Sequence, residues 1–136
     1  ENFSKSPVAF EHAKDILKDE IVQWGYIKSS DEYKEWLWKA DILPVTSNQE
    51  FFGVSIMEAI YCGTWPILPN RLTYPELIPK KSQKEHIYIN ESDLYKKIIW
   101  AIQNYKSIRK TKLSAIALQF DWNATAPLYD KVMKSI

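Results

Sequence analysis

The sequence predicts an α/β fold, a Rossmann-like doubly wound parallel sheet, on two observations. Short apolar runs alternate with segments of helical periodicity, and the connections between them are short. A chain of 136 residues, 46% hydrophobic and 26% charged, is long and apolar enough to bury one domain's core, expected over residues 1–136.

The elements follow in order. Residues 6–18 read as a helix: Ser6 suits an N-cap, Pro7 suits the first turn, and Val8, Ala9, Ala13, Ile16 and Leu17 recur near helical spacing. Ile21, Val22, Gln23 and Trp24 read as a short strand stopped by Gly25. A second helix starts at Ser30 or Asp31, with Tyr33, Trp36, Leu37 and Ala40 on one face. Residues 41–45 read as a strand that Pro44 interrupts, and 47–53 as a polar loop ending in Gly53. A compact helix over 54–61 closes at Cys62 and Gly63, with Gly63 as the expected cap. Strands are expected at 65–68 and 86–89, with an irregular stretch between them and a helical turn at 75–78. Helices over 91–105, 107–118 and 123–135 complete the chain. The first element is thus a helix where a doubly wound domain normally opens with a strand, so at least one strand is expected upstream of Glu1.

Net charge is +1, which excludes a global field drawing in nucleic acid or anionic membrane. Residues 94–120 nevertheless hold Lys96, Lys97, Lys106, Arg109, Lys110 and Lys112 without an acidic residue. A solvated helical face and a landing surface for a polyanion both fit that run. Cys62 is the single cysteine, so no internal disulfide forms, and no apolar run approaches the roughly 18 residues of a membrane span. A cytoplasmic location is expected. His12 and His86 stand alone, so no metal is expected, and the phosphate-loop and dinucleotide glycine motifs are absent.

Ligands of doubly wound sheets bind beyond the carboxyl ends of the strands, which directs attention to the strand, loop and helix of residues 41–62. Gly53 lets backbone approach a ligand closely, and the amides of Phe52, Gly53, Val54 and Ser55 would gather at a helix N-terminus. Glu50 on the loop and Glu58 in the helix bracket the unit. A carboxylate accepts two hydrogen bonds from a vicinal diol, the group shared by a sugar ring and a ribose. Spacing alone favours surface solvation of both glutamates over a shared site.

The run Glu50-Phe51-Phe52-Gly53-Val54-Ser55-Ile56-Met57-Glu58-Ala59, followed by Cys62-Gly63, Pro66-Ile67 and Pro75-Glu76, resembles the signature of glycosyltransferase family 4, retaining enzymes of the GT-B fold. Trp24-Gly25-Tyr26-Ile27, Asp31-Glu32-Tyr33 and Ala40-Asp41-Ile42 resemble its approach to that motif, and Phe120-Asp121-Trp122 with Tyr129 its closing helix. The resemblance implies the C-terminal, donor-binding half of a two-domain enzyme. By it, Glu50 is the catalytic residue contacting hydroxyls of the donor sugar. Phe51, Phe52, Gly53 and Val54 lie against sugar or phosphates, Glu58 binds the ribose, and Gly25, Tyr26 and Ile27 border the base. The family's phosphate-binding Arg/Lys pair and its acceptor domain are expected before Glu1, so the chain alone is expected to bind nucleotide weakly without turnover.

One departure is informative. Family members carry a Gly-Gly pair shortly before the Pro-Glu, whereas this chain has Asn70-Arg71-Leu72-Thr73-Tyr74. Arg71 is a candidate for donor phosphate, since guanidinium matches phosphate geometry. With Tyr61-Cys62-Gly63, this loop is similar to a narrower group, the tRNA-queuosine mannosyltransferase-like proteins, which implies a GDP-mannose donor and a tRNA acceptor. A nucleotide-sugar epimerase of the same fold and a nucleic-acid-binding module are the alternatives.

Overall fold

The computed structural model describes residues 8–135, which form two compact units, one ending at Lys34 and one beginning at Glu35. Ser6 and Pro7, the expected start of the first helix, lie outside the described residues. In the first unit, α1 (Val8–Ile16) carries Glu11 in its first turn and Lys14 in its last, charges that suit the helix dipole. The expected strand at 21–24 does not form. The Ile21 amide bonds back to the Leu17 carbonyl, 3.0 Å away, and no described strand pairs with this stretch. Apolar character predicted that strand, but a strand exists only where a neighbour takes its hydrogen bonds. Helix α2 (Ser30–Lys39) forms where the sequence places it.

The second unit holds a three-stranded parallel sheet in the order β1 (Ile42–Pro44), β2 (Trp65–Pro69), β3 (Ile87–Tyr88). Ile42 pairs with Trp65 and Leu68 with Ile87. All five residues of β2 are buried. Successive side chains of a strand point to opposite faces, so both faces of the central strand are covered, as the Rossmann-like reading expects. Helix α3 (Val54–Tyr61) buries Ile56, Ala59 and Ile60 in this core. Cys62 caps it, and Gly63 follows with φ 90°, the left-handed turn that a glycine supplies. Thr64, 1% exposed, donates its hydroxyl to the Ala40 carbonyl at 3.1 Å, tying the end of α2 to the start of β2.

Between β2 and β3 the chain makes 3-10 turns at Tyr74–Leu77 and Lys80–Ser82 and a one-turn helix α4 (Gln83–His86). The stretch expected to be irregular is therefore mostly short helical turns, and β3 is shorter than predicted because His86 belongs to α4. Helix α5 (Glu91–Gln103) starts at an Asn90 side-chain cap on the Asp93 amide, 2.9 Å. The helix expected over 107–118 is two pieces, α6 (Tyr105–Ile108) and α7 (Ser114–Leu118), split by a turn at 109–113. Thr111 and Lys112 break the apolar period there, while Ile108 and Leu113 are driven into the core on either side. Helix α8 (Trp122–Met133) is capped by Asp121, whose carboxylate accepts from the Asn123 amide at 2.7 Å, and it buries no residue. No helix among the described residues is long and apolar enough to cross a membrane.

Candidate functional site

The strands run in sequence order, so all three point the same way and their carboxyl ends share one edge. Loops 45–53, 70–73 and 89–90 leave from that edge. The first is built around Glu50. Its Oε1 accepts from the amides of Phe51 at 3.0 Å, Phe52 at 3.3 Å and Gly53 at 2.8 Å. Three converging N–H groups are an anion site, and here the chain supplies its own anion. Gly53 makes this possible: its φ of 69° turns the backbone into the left-handed region. A Cβ there would also stand 2.5 Å from Leu77 Cδ1.

This arrangement corrects the sequence reading at one point. The amides of Phe51, Phe52 and Gly53 are engaged by Glu50, so they meet a ligand only if that carboxylate moves. What the loop offers instead is Glu50 Oε2, on a carboxylate whose orientation is fixed. The rings of Phe51 and Phe52 are 79% and 82% exposed, and Val54 is exposed beside them. Glu58 lies on the exposed side of α3, in its second turn. It is close enough to Cys62 that burial first, and the Glu58 charge second, push the thiol above its ordinary value. A thiol held protonated is a poor nucleophile, consistent with a packing role.

Three side chains hold the loop after β1 by its carbonyls. Tyr88 donates its hydroxyl to Val45 O at 3.0 Å, Arg71 Nη2 donates to Thr46 O and Ser47 O at 2.9 Å each, and the Tyr74 hydroxyl lies 3.4 Å from Ser47 O. Tyr74 and Tyr88 are buried, and burial is the leading cause that pushes the Tyr88 phenol above its ordinary value. Sequence reasoning missed both tyrosines; a phenol in an apolar run gives no sign of what its hydroxyl reaches. Arg71 thus spends Nη2 on the loop, and among the described residues Nη1 and Nε make no hydrogen bond. It borders a cleft of about 550 Å³ at the carboxyl edge, with Thr46, Asn48, Asn70, Tyr88 and Glu91 among its walls. Glu50 and Glu58 do not line this cleft.

In the first unit, Gly25, Tyr26 and Ile27 form an irregular loop with Gly25 at φ 84°. They line a cleft of about 430 Å³ with Lys28, Ser29, Ser30 and Tyr33. Tyr26 is 69% exposed, a flat apolar face open to solvent.

A parallel three-stranded sheet covered by helices defines an α/β domain of Rossmann-like kind. Its class is set by comparison with known families: the chain belongs to the glycosyl transferases group 1, whose family model matches residues 9–117. Over 98 residues it is 39% identical to the tRNA-queuosine alpha-mannosyltransferase of Drosophila melanogaster, a match covering 72% of this chain and 25% of that protein. The match thus spans about a quarter of that relative's length. No solved structure matches significantly.

Proposed function

We propose that this chain is the donor-binding part of a retaining glycosyltransferase that moves mannose from GDP-mannose to a queuosine hydroxyl in tRNA. The observation that carries the reading is the 39% identity to a tRNA-queuosine alpha-mannosyltransferase, in an alignment taking in 72% of the chain. The Glu50 geometry supports it. In this reading Glu50 Oε2 accepts from a hydroxyl of the sugar, Glu58 accepts from the ribose, and the loop at Gly25, Tyr26 and Ile27 borders the base. Arg71, whose Nη1 and Nε make no hydrogen bond among the described residues, faces donor phosphate from the loop after β2.

In the transfer, the bond from the sugar's anomeric carbon to the diphosphate breaks and a bond to the acceptor oxygen forms. The hydroxyl proton leaves with the diphosphate. Donors fixed in advance stabilise the departing charge without reorganisation, and the oriented carboxylate keeps the sugar in line. The reading places the protein in a reducing, cytosolic compartment, which a single cysteine supports.

Calorimetry of the chain with GDP-mannose, GDP, UDP-glucose and UDP-N-acetylglucosamine tests the donor. GDP compounds are expected to bind, and Glu50→Gln is expected to weaken GDP-mannose more than GDP, because only the former carries the sugar. A preference for UDP compounds, or equal losses for both guanine ligands, would overturn the assignment.

A further inference from the structure

An RNA acceptor is a polyanion, and one surface of the second unit is shaped to meet a polyanion. Resting on the acceptor reading above, we propose that α6 and the turn joining it to α7 are a docking surface for the RNA phosphate backbone, gripped by Lys106 on α6 and by Lys110 and Lys112 on the turn. Residues 94–120 hold six Lys and Arg residues and no Asp or Glu, and beyond Lys96, which lies on α5, the structure sorts the other five into two groups.

Two are turned to internal work. Lys97 donates to the Lys84 carbonyl at 2.7 Å and pairs with Asp93 at 3.5 Å. Arg109 bonds the Asp41 carboxylate and donates to the Lys39 carbonyl at 3.2 Å. Both are engaged within the second unit. Lys106, Lys110 and Lys112 are exposed and form no ion pair among the described residues.

These three lysines fall within the seven positions 106–112. Ile108 and Leu113, 2% and 5% exposed, pin the turn to the core. Lys110 N bonds Ser107 O at 3.1 Å and Thr111 N bonds Ile108 O at 2.8 Å. A short helix and a turn held to the core order little backbone on binding, so most of the Coulomb gain and counterion release of their three ammonium groups is kept. Tyr105 adds a second feature: the residue is 45% exposed, and Lys106 Nζ lies over its ring, 5.9 Å from the centroid. An aromatic face flanked by a cation is suited to stacking an unpaired base, which RNA offers and a lipid headgroup does not. Because net charge is only +1, the attraction is local to this turn.

Fluorescence anisotropy of labelled queuosine-containing tRNA with this chain, over a series of NaCl concentrations, tests the surface. Three phosphate contacts predict a slope of log affinity against log salt of about −2 to −3. The K106E/K110E/K112E variant is expected to lose at least about tenfold in affinity and most of that slope. The K80E/K81E/K84E variant, with the same change in net charge on another turn, is expected to keep both. Each single Lys→Gln change should reduce the slope by about 0.7 to 0.9, a readout that survives if the triple variant does not fold. Absence of tRNA binding, or equal losses in the two triple variants, overturns the surface. So does binding to phosphatidylserine vesicles, but not to tRNA, that the same three lysines control. Titration with GDP-mannose separates this from the activity: a chain that ignores GDP-mannose but shows the lysine-dependent tRNA slope keeps the surface and loses the donor reading.

Discussion

Two residues show how single side chains set the behaviour of the core. His86 is 1% exposed, with its ring centroid 4.2 Å from that of Trp65 and Nδ1 2.8 Å from the Pro66 carbonyl. A carbonyl only accepts, so Nδ1 carries a proton in this bond. Burial holds the imidazole below its ordinary value against the opposing pull of the Pro66 bond and the Glu85 charge, while Lys97 adds to the lowering. The unfolded chain, protonating near an ordinary value of about 6.5, then takes up a proton before the folded one does. Stability is therefore full above that value and falls as pH drops below it. Denaturant midpoints at pH 7.5, 6.5 and 5.5 should decline for the native chain and stay flatter for His86→Phe, which keeps the ring and removes the titration. Parallel profiles would remove the claim. Gly53 is the second case: a side chain there meets both the left-handed φ and Leu77. Gly53→Ala is expected to cost about 1–2 kcal/mol from backbone strain. Trimming Leu77 to Ala in the same chain should relieve the contact but not the φ penalty, and a double-mutant cycle separates the two.

Elements were legible in the sequence where one segment decides its own form. The helix over 54–61, the strand at 65–68 and the helix beginning at Ser30 stand where periodicity and glycine placed them. Failures came where the outcome depends on partners. Residues 21–24 have strand-like composition but no strand beside them, and the helix expected at 107–118 breaks where Ile108 and Leu113 are drawn into the core. The site divides the same way. That Glu50 falls on the loop and Glu58 in the helix could be read from the sequence, but the closure of Glu50 onto the amides of Phe51, Phe52 and Gly53 could not, because it depends on the Gly53 turn. The clamp on the loop after β1 is likewise a tertiary fact, since Arg71 and Tyr88 are 25 and 43 residues away from the carbonyls they reach. Its strength is testable at this scale. Arg71→Ala removes two bonds and Tyr88→Phe one, each bond contributing about 0.5–1.5 kcal/mol net. Limited proteolysis should cut near residues 46–49 faster in either variant, with the double variant faster than either single, while overall melting moves little. Unchanged cutting in Arg71→Ala would show that the guanidinium does not hold this loop.

Across the whole chain, burial is uneven enough to order the pieces by the free energy of their opening. Ile60, Ile67, Leu68 and Tyr74 are fully buried, and each large apolar side chain so placed contributes roughly 1.5–3 kcal/mol. Helix α1 in the first unit and α8 in the second bury no residue. On α8, Trp122, Tyr129 and Met133 are 70%, 63% and 73% exposed, so its apolar side adds little to the core of the unit that carries it. Local opening of a helix costs only the contacts it makes, whereas freeing β2 requires dismantling both layers that cover it. Native-state hydrogen exchange should therefore separate into classes as denaturant is raised. Amides of β2 and α3 are expected to exchange only by global unfolding, with the full denaturant dependence. Amides of α1 and α8 are expected to exchange through small openings with almost none. Ile67→Ala should then lower protection of the slow class by about 2–5 kcal/mol and leave α8 unchanged. Val132→Ala should do neither, because that side chain is already 60% exposed. Protection of α8 equal to that of β2 would mean that its apolar side is covered in solution, and the ordering argued from burial would fail at that helix.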